Sequence, residues 1–232
     1  MSNPNVDALP VKRSGVSVKT LTSLAMLTAV SYVVMILSKM LPQISGFLQL
    51  DLKDTVITIG GFVFGPLAAA IISVVVAVVE MFTYSDTGPI GCIMNVLATV
   101  SFCCTASFVY KKRHTKGGAI AGLALGTVIL TAVMVLWNFL ITPIYMKIPR
   151  NVVVGMLPTV FLPFNLVKGG LNMALILLIY KPVVTALRRA RLIPESADSV
   201  RVSSNRNTGF ILLALALLAT FVTIALVMME IL

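Results

Sequence analysis

Amide and ammonium side chains lie within otherwise apolar stretches of this sequence. Asn165, Lys168 and Asn172 follow one another at positions i, i+3 and i+7, which puts them on one face of a helix. Two further amides, Asn95 and Asn138, stand in other apolar stretches. Polar groups are costly in such surroundings and often mark functional sites. Together these side chains would suit a neutral or weakly acidic ligand with several hydrogen-bonding groups.

The sequence motifs of common enzymes are absent. The chain lacks the G-x-x-x-x-G-K-[ST] phosphate loop, the G-x-S-x-G nucleophile motif and the H-E-x-x-H metal motif, and its single histidine is His114. We therefore expect neither enzymatic activity nor a metal site, and any ATP hydrolysis would come from a partner. A membrane-embedded enzyme that uses the Asn/Lys cluster is a less favoured alternative.

The composition indicates the kind of element that carries these side chains. Of the 232 residues, 58% are hydrophobic and 11% are charged, and the mean hydropathy is +1.02. A soluble domain would carry roughly a quarter charged residues, so we predict an all-α, polytopic membrane protein. Apolar blocks long enough to span a bilayer occupy residues 21–40, 55–79, 90–110, 119–141, 157–180 and 210–232.

Charge decides how the second block crosses the membrane. The block is interrupted by Phe64-Gly65-Pro66, so it is either one kinked span or a hairpin of two short helices. Basic residues near span ends favour the cytoplasmic side. The basic clusters at 12–19, 111–116 and 181–206 share one side only if the block is a hairpin. The hairpin is therefore predicted, with a cytoplasmic N-terminus.

This topology also accounts for the formal net charge of +10. The inner side receives 13 Lys/Arg and three acids. The outer side receives Lys39, Lys53, Lys147 and Arg150, and Lys168 is expected to be the one cation within the membrane. The positive charge is thus an orientation signal, and no nucleic-acid partner is needed to explain it.

The same topology places the polar side chains at a common depth in the membrane. Asn95, Asn138, Asn165 and Lys168 all fall in the outer half of the membrane, which predicts a pocket that opens to the outside. The 41–54 segment lies outside and could close over this pocket, so its residues Gln49, Leu50 and Asp51 join the predicted ligand-binding set. The alternative for the amides is that they hold neighbouring helices together.

Small residues mark surfaces where helices approach closely. Gly118, Gly122 and Gly126 form a G-x-x-x-G-x-x-x-G run, for which packing within the bundle is the favoured interpretation. Ala25 and Ala29 form a shorter small-residue face, which could pack internally or dock a partner membrane protein. The predicted organisation is a tail at 1–20, a six-helix domain at 21–190, a polar cytoplasmic linker at 191–209 and an additional helix at 210–232.

A series of short motifs carries a family resemblance. They are L-D-L-K-D at 50–54, F-G-P at 64–66, G-P at 88–89 followed by Asn95, W-N at 137–138 followed by Pro143 and Tyr145, and L-P-F-N-L-V-K-G at 162–169. In this order they resemble the riboflavin-specific S component (RibU type) of energy-coupling-factor (ECF) vitamin transporters. The resemblance covers about residues 18–190, and P-F-N-x-x-K-G is its most specific part.

The resemblance implies a bacterial cell-membrane protein that captures extracellular riboflavin, or FMN, as a transported ligand and not as a cofactor. It implies two kinds of partner, a transmembrane coupling subunit and two cytoplasmic ATPases. Asn138, Asn165 and Lys168 match positions that hydrogen-bond the vitamin in that family, and Ala25 and Ala29 resemble the face that docks the coupling subunit. The linker and the last apolar helix depart from the usual six-helix chain.

Two other functions stay open from the sequence. An S component for another vitamin, such as thiamine or folate, would be expected to offer more aromatic residues for stacking, and Trp137 is the only tryptophan. A non-transport accessory subunit would use the 210–232 helix for interaction and would bind no small molecule.

Overall fold

The computed structural model describes residues 17–85, 87–190 and 208–231. Most of the predicted N-terminal tail, most of the 191–209 linker and Asp86 lie outside these residues. The helices of the described residues are α1 Val18–Ser38, α2 Lys53–Phe64, α3 Pro66–Thr83, α4 Gly88–Arg113, α5 Lys116–Met146, α6 Arg150–Met156, α7 Leu162–Arg189 and α8 Thr208–Met228, with a π-helical turn, Leu157–Phe161, between α6 and α7.

The second apolar block forms the predicted hairpin. Gly65 separates α2 from α3 with φ at +96°, a backbone conformation that a residue with a Cβ rarely adopts. Pro66 then occupies the first position of α3, where its missing N–H costs nothing. The reversal of the chain therefore follows from the Gly65-Pro66 pair, and the prediction of two helices is confirmed.

Neighbouring helices shield the shorter arm of the hairpin. With 12 residues, α2 is about 18 Å long, which is too short to cross a bilayer alone. It contacts α1, α3, α4 and α7, and most of its residues are buried, including Ile57 and Ile59. Among the described residues six helical stretches are long and apolar enough to span a membrane, and α2 is not one of them. The all-α polytopic fold with a further C-terminal helix is confirmed.

The glycine run on α5 packs against α4. A Cβ at Gly122 would lie 2.8 Å from the carbonyl oxygen of Ala106, and one at Gly126 would lie 2.8 Å from that of Phe102. Larger residues would push the two helices apart. The interpretation of this run as an internal packing surface is therefore confirmed.

The additional helix α8 packs along α7. The ring of Phe221 lies directly against Gly170, where a Cβ would clash with it. Near the other end of α8, the Lys116 ammonium stands 5.9 Å from the centre of the Phe210 ring. Much of the remaining surface of α8, including Leu212, is exposed, as expected for a helix that faces lipid.

Candidate ligand-binding site

The loop before α2, residues 41–52, lies folded onto the N-terminal part of α7. Ile44 and Leu48 pair as an antiparallel bridge around a turn, in which Gly46 has φ at +77°. One apolar cluster joins this loop to α7 and α8; its buried members are Ile44, Leu50, Phe164, Val167, Leu171 and Ala225. The Phe47 ring meets Phe161 edge-on, with centroids 6.0 Å apart. The loop is thus held against α7 and α8 by apolar contacts.

A buried ionic network lies beneath the loop. The Lys53 ammonium contacts the Asp51 carboxylate and lies 3.3 Å from Oε2 of Glu80. Oε1 of Glu80 lies 3.0 Å from Lys39 Nζ. The side chains of Lys53 and Glu80 are each 1% exposed, so the four charged groups compensate one another inside the protein.

Lys168 belongs to a second ionic contact. Its Nζ lies 3.8 Å from Oδ2 of Asp54, and both side chains are buried. Oδ1 of Asp54 accepts a hydrogen bond of 2.8 Å from the Thr99 hydroxyl. This contact connects α7, α2 and α4 at one point.

Asn172 ties the 41–52 loop to the helices. Its Nδ2 donates to the carbonyl oxygens of Asp51, at 2.9 Å, and of Lys168, at 3.0 Å. Its Oδ1 accepts from the Thr55 hydroxyl at 2.7 Å. The side chain is buried and has both ends of its amide satisfied, so its structural role is to fix the end of the loop against α2 and α7.

The other predicted amides remain bonded to their own helices. Asn138 donates to the Met134 carbonyl at 2.7 Å and accepts from Thr142 at 2.8 Å. Asn165 donates to the Phe161 carbonyl at 2.7 Å. Within the described part of the chain no hydrogen bond joins either residue to another helix, so these amides do not serve as cross-links between helices.

The remaining predicted residues differ in exposure. Asn95 and Gln49 are half-buried, whereas Leu50 is buried in the apolar cluster and Asp51 in the ionic network. Burial raises the pKa of the Asp51 carboxyl, but the ammonium groups of Lys53 and Lys168 lower it, and the balance leaves the pKa below its ordinary value. We therefore expect Asp51 to be ionised at neutral pH.

The small-residue face on α1 lies away from this site. Ala25 and Ala29 are both exposed on the surface of the bundle. An apolar groove of about 300 Å³ runs beside them between α1, α2 and α7; its lining includes Met26, Val30 and Ile59.

The structure buries more charged groups than the sequence indicated. Lys168 is not the only cation inside the protein, because Lys53 is fully buried as well. Three acids assigned to the outer aqueous side, Asp51, Asp54 and Glu80, are also buried. The physical reason is that these groups compensate each other across the 41–52 loop, α2 and α3, so that none of them has to remain in water.

Sequence reasoning also missed several residues of the site. Lys53, Asp54, Glu80 and Thr99 were not among the predicted ligand-binding residues. The dense alternation of charged and apolar residues in L-D-L-K-D, directly before an apolar helix, was the signal that could have indicated buried charge. The π-helical turn before Asn165 had no visible sequence signal, although such turns are frequent at functional sites.

The arrangement has the chemistry of a binding site. Lysines 39, 53 and 168 face Asp51, Asp54 and Glu80 in matching number, so this group of side chains is close to electrical neutrality. The residues that the structure describes contain no group of His, Cys, Asp or Glu that could hold a metal ion. Such surroundings favour an uncharged ligand bound by hydrogen bonds and apolar contacts.

Comparison with known proteins identifies the family. Residues 19–184 match the family described as "ECF transporter, substrate-specific component". The chain belongs to this ECF substrate-specific family. Its members are the substrate-binding components of transporters, and the matched range includes α1 to α6 and most of α7.

Individual relatives agree with the family match. "Riboflavin transporter RibU" of Staphylococcus aureus is 29% identical over 178 residues, which are 74% of this chain and 93% of that protein. "Riboflavin transporter FmnP" of Bacillus subtilis is 28% identical over 192 residues, which are 75% of this chain and 98% of that protein. A solved S component of a bacterial ECF transporter is 30% identical, with a TM-score of 0.62, over 74% of this chain and 98% of that structure.

The comparisons separate α8 from the rest of the chain. The family match ends at residue 184, before α8 begins at Thr208. The relatives are covered almost completely while a quarter of this chain is left over. This chain is therefore a multi-pass membrane protein of the ECF substrate-specific family that carries an additional C-terminal helix.

Proposed function

We propose that this protein captures extracellular riboflavin for ATP-driven import. The observation that carries the proposal is the polar face of α7, where Asn165 and Lys168 are buried. Next to them on α7, Phe164, Val167 and Leu171 pack against the 41–52 loop. Two relatives with 28–29% identity are named riboflavin transporters, which supports the choice of vitamin. Within the matched region the chain also contains the P-F-N-x-x-K-G segment.

The chemistry of a flavin suits the proposed residues. Its pyrimidine edge offers a donor and carbonyl acceptors, which the amides of Asn138 and Asn165 can match after turning from their own helices. Its ribityl hydroxyls can accept hydrogen bonds from the Lys168 ammonium. Its dimethylbenzene end would pack on apolar surface such as Leu50. We also assign Asn95, Gln49 and Asp51 to the walls of this site.

The orientation and partners form the second part of the proposal. The cationic ends of α4 and α7, at 111–113 and 188–189, would face the cytoplasm, together with the N-terminus. A transmembrane coupling subunit would dock on Ala25, Ala29 and the adjoining groove. Two cytoplasmic ATPases bound to that subunit would supply the energy. The six-helix domain at 21–190 would bind the vitamin, and α8 would be an addition to it.

Flavin fluorescence provides the test of the ligand. Purified protein titrated into riboflavin should quench its emission to saturation at one equivalent, and excess thiamine or folate should not reverse the quenching. Reversal by thiamine would show that thiamine is a ligand of the site, which would contradict the choice of riboflavin but not the class of transporter. Protein that binds none of the three, yet elutes as a single folded species, would contradict the proposal.

A further inference from the structure

Asp54 is a buried carboxylate that has not used all of its bonding capacity. The residue is fully buried at the start of α2. Its Oδ1 is hydrogen-bonded to Thr99, but its Oδ2 has no hydrogen-bond partner among the described residues. The closest cation to that free oxygen is Lys168, whose Nζ lies 3.8 Å away. The two groups attract each other without forming a hydrogen bond.

This geometry leaves Lys168 compensated in charge and still available as a donor. No residue in the described part of the chain accepts a hydrogen bond from its ammonium group. The Lys168 side chain as a whole is 8% exposed. A carboxylate at 3.8 Å stabilises the positive charge in a low-dielectric region. The N–H groups of Lys168 can therefore be offered to a ligand while its charge is already neutralised by Asp54.

The other buried acids are occupied elsewhere. Asp51 lies close enough to be affected by Lys168, but its carboxylate is in contact with Lys53. Glu80 lies between Lys53 and Lys39. Among the described residues, Asp54 is thus the acid that forms an ion pair with Lys168, and Asp51 acts on it from further away. Removing the charge of Asp54 would leave the outer half of the bundle with one uncompensated cation.

Charge balance at this point discriminates between related ligands. A phosphate ester carries about −1.5 to −2 charges near pH 7, and a neutral, desolvated site would be poor compensation for them. An uncharged polyol loses only hydrogen bonds to water, which Lys168 can replace. The same site with an unpaired ammonium would instead attract the phosphate.

We propose that Asp54 is a specificity-determining residue, which neutralises Lys168 and so makes the site prefer riboflavin over its phosphate ester FMN. The proposal rests on the proposed function, in which Lys168 contacts the flavin. Asp54 does not itself touch the ligand. It acts through the charge that Lys168 presents.

The test measures riboflavin and FMN dissociation constants by fluorescence quenching in wild-type protein and in Asp54→Asn. The dissociation constant of FMN, divided by that of riboflavin, should fall about tenfold, because one buried cation loses its counter-ion. Glu230→Gln is the control: it removes an exposed acid that lies outside the buried ionic network, and its ratio should stay within about twofold of wild type. An unchanged ratio in folded Asp54→Asn would overturn the proposal.

Two further variants make the test independent of how well Asp54→Asn folds. Lys168→Gln alone should raise the ratio of the FMN constant to the riboflavin constant about tenfold. The double variant Asp54→Asn/Lys168→Gln removes the pair together and leaves no lone buried charge, so its ratio should return to within about threefold of wild type. A double variant that keeps the ratio of Lys168→Gln would overturn the role of Asp54.

Failure of this inference can be told apart from failure of the proposed function. Wild-type protein that binds neither flavin would overturn both. Wild-type protein that binds riboflavin, with a ratio that Asp54→Asn does not move, would overturn the specificity role alone.

Discussion

The two halves of the bundle, which we assign to the outer and inner sides of the membrane, are built from different interactions. In the outer half, lysines and carboxylates are buried together beneath the 41–52 loop. In the inner half, the Phe62 ring stacks on Tyr110 with centroids 4.4 Å apart, and the Tyr110 and Tyr180 hydroxyls are 2.9 Å apart. The inner cations, such as Lys111 and Lys112, stay exposed.

The contrast indicates which half would hold a polar ligand. Burying an ion pair gives little or no net stability compared with apolar packing, so a buried network is not explained by stability alone. The aromatic cluster needs no such explanation, since it buries large rings and satisfies its hydroxyls. We therefore propose that a polar ligand binds in the outer half and that the inner half closes the bundle toward the cytoplasm.

The largest expected effect comes from breaking the outer network. Glu80→Gln leaves Lys53 and Lys39 without their shared carboxylate, which should lower the free energy of unfolding by about 3 kcal/mol. Thermal unfolding in detergent, followed by circular dichroism, measures the loss. Glu230→Gln, which neutralises an exposed acid near the end of the chain, is the control. Equal melting temperatures for the two variants would contradict the structural importance of the network.

Replacing the cation at the proposed site should be the next largest effect. Lys168→Ala is expected to weaken riboflavin binding about 100-fold, because it removes a charged donor and leaves Asp54 unpaired. Fluorescence titration measures the affinity, and Lys116→Ala, which removes an exposed cation at the inner end of α5, should bind like wild type. Wild-type affinity in folded Lys168→Ala would remove this residue from the site.

An inner-half substitution should affect stability without affecting binding. Tyr180→Phe removes the hydrogen bond to Tyr110 and should cost about 1 kcal/mol of unfolding free energy. Riboflavin affinity should change by less than about twofold, since no group of the outer half is altered. A large loss of affinity in this variant would break the distinction between the two halves.

The smallest expected effect concerns α8. Phe221→Ala loosens the contact of α8 with Gly170 and with the apolar cluster that holds the 41–52 loop. We expect riboflavin to dissociate about threefold faster, because the lost contact corresponds to part of the free energy of burying one side chain. Stopped-flow fluorescence measures the rate. Leu212→Ala, on an exposed part of α8, is the matched control. Equal dissociation rates in both variants would show that α8 does not help to hold the loop.

The features that were predictable from the sequence depend on local rules. The Gly65-Pro66 turn, the close approach at Gly122 and Gly126, and the helical face shared by Asn165 and Lys168 all follow from residues a few positions apart. The basic clusters near the span ends also predict which loops lie on the same side of the membrane.

The buried network depends on distant residues and could not be predicted in this way. Lys53 and Glu80 are 27 positions apart, and Asp54 and Thr99 are 45 apart. Each of the acids alone is typical of an exposed loop or helix end. They are buried where the 41–52 loop, α2, α3 and α4 pack together. The packing of the loop also involves α8, which lies beyond the region of family resemblance.

Labelling of the 41–52 loop tests most directly whether this loop closes over an outward-facing flavin site. Gln49→Cys would be placed in a background whose three native cysteines are replaced by alanine. A membrane-impermeant thiol reagent should label it from outside in right-side-out vesicles, and riboflavin should slow the labelling. Gln43→Cys, at an exposed position of the same loop, should label equally with and without riboflavin. Labelling of Gln49→Cys only from the inside, or at a rate that saturating riboflavin does not change, would contradict the account.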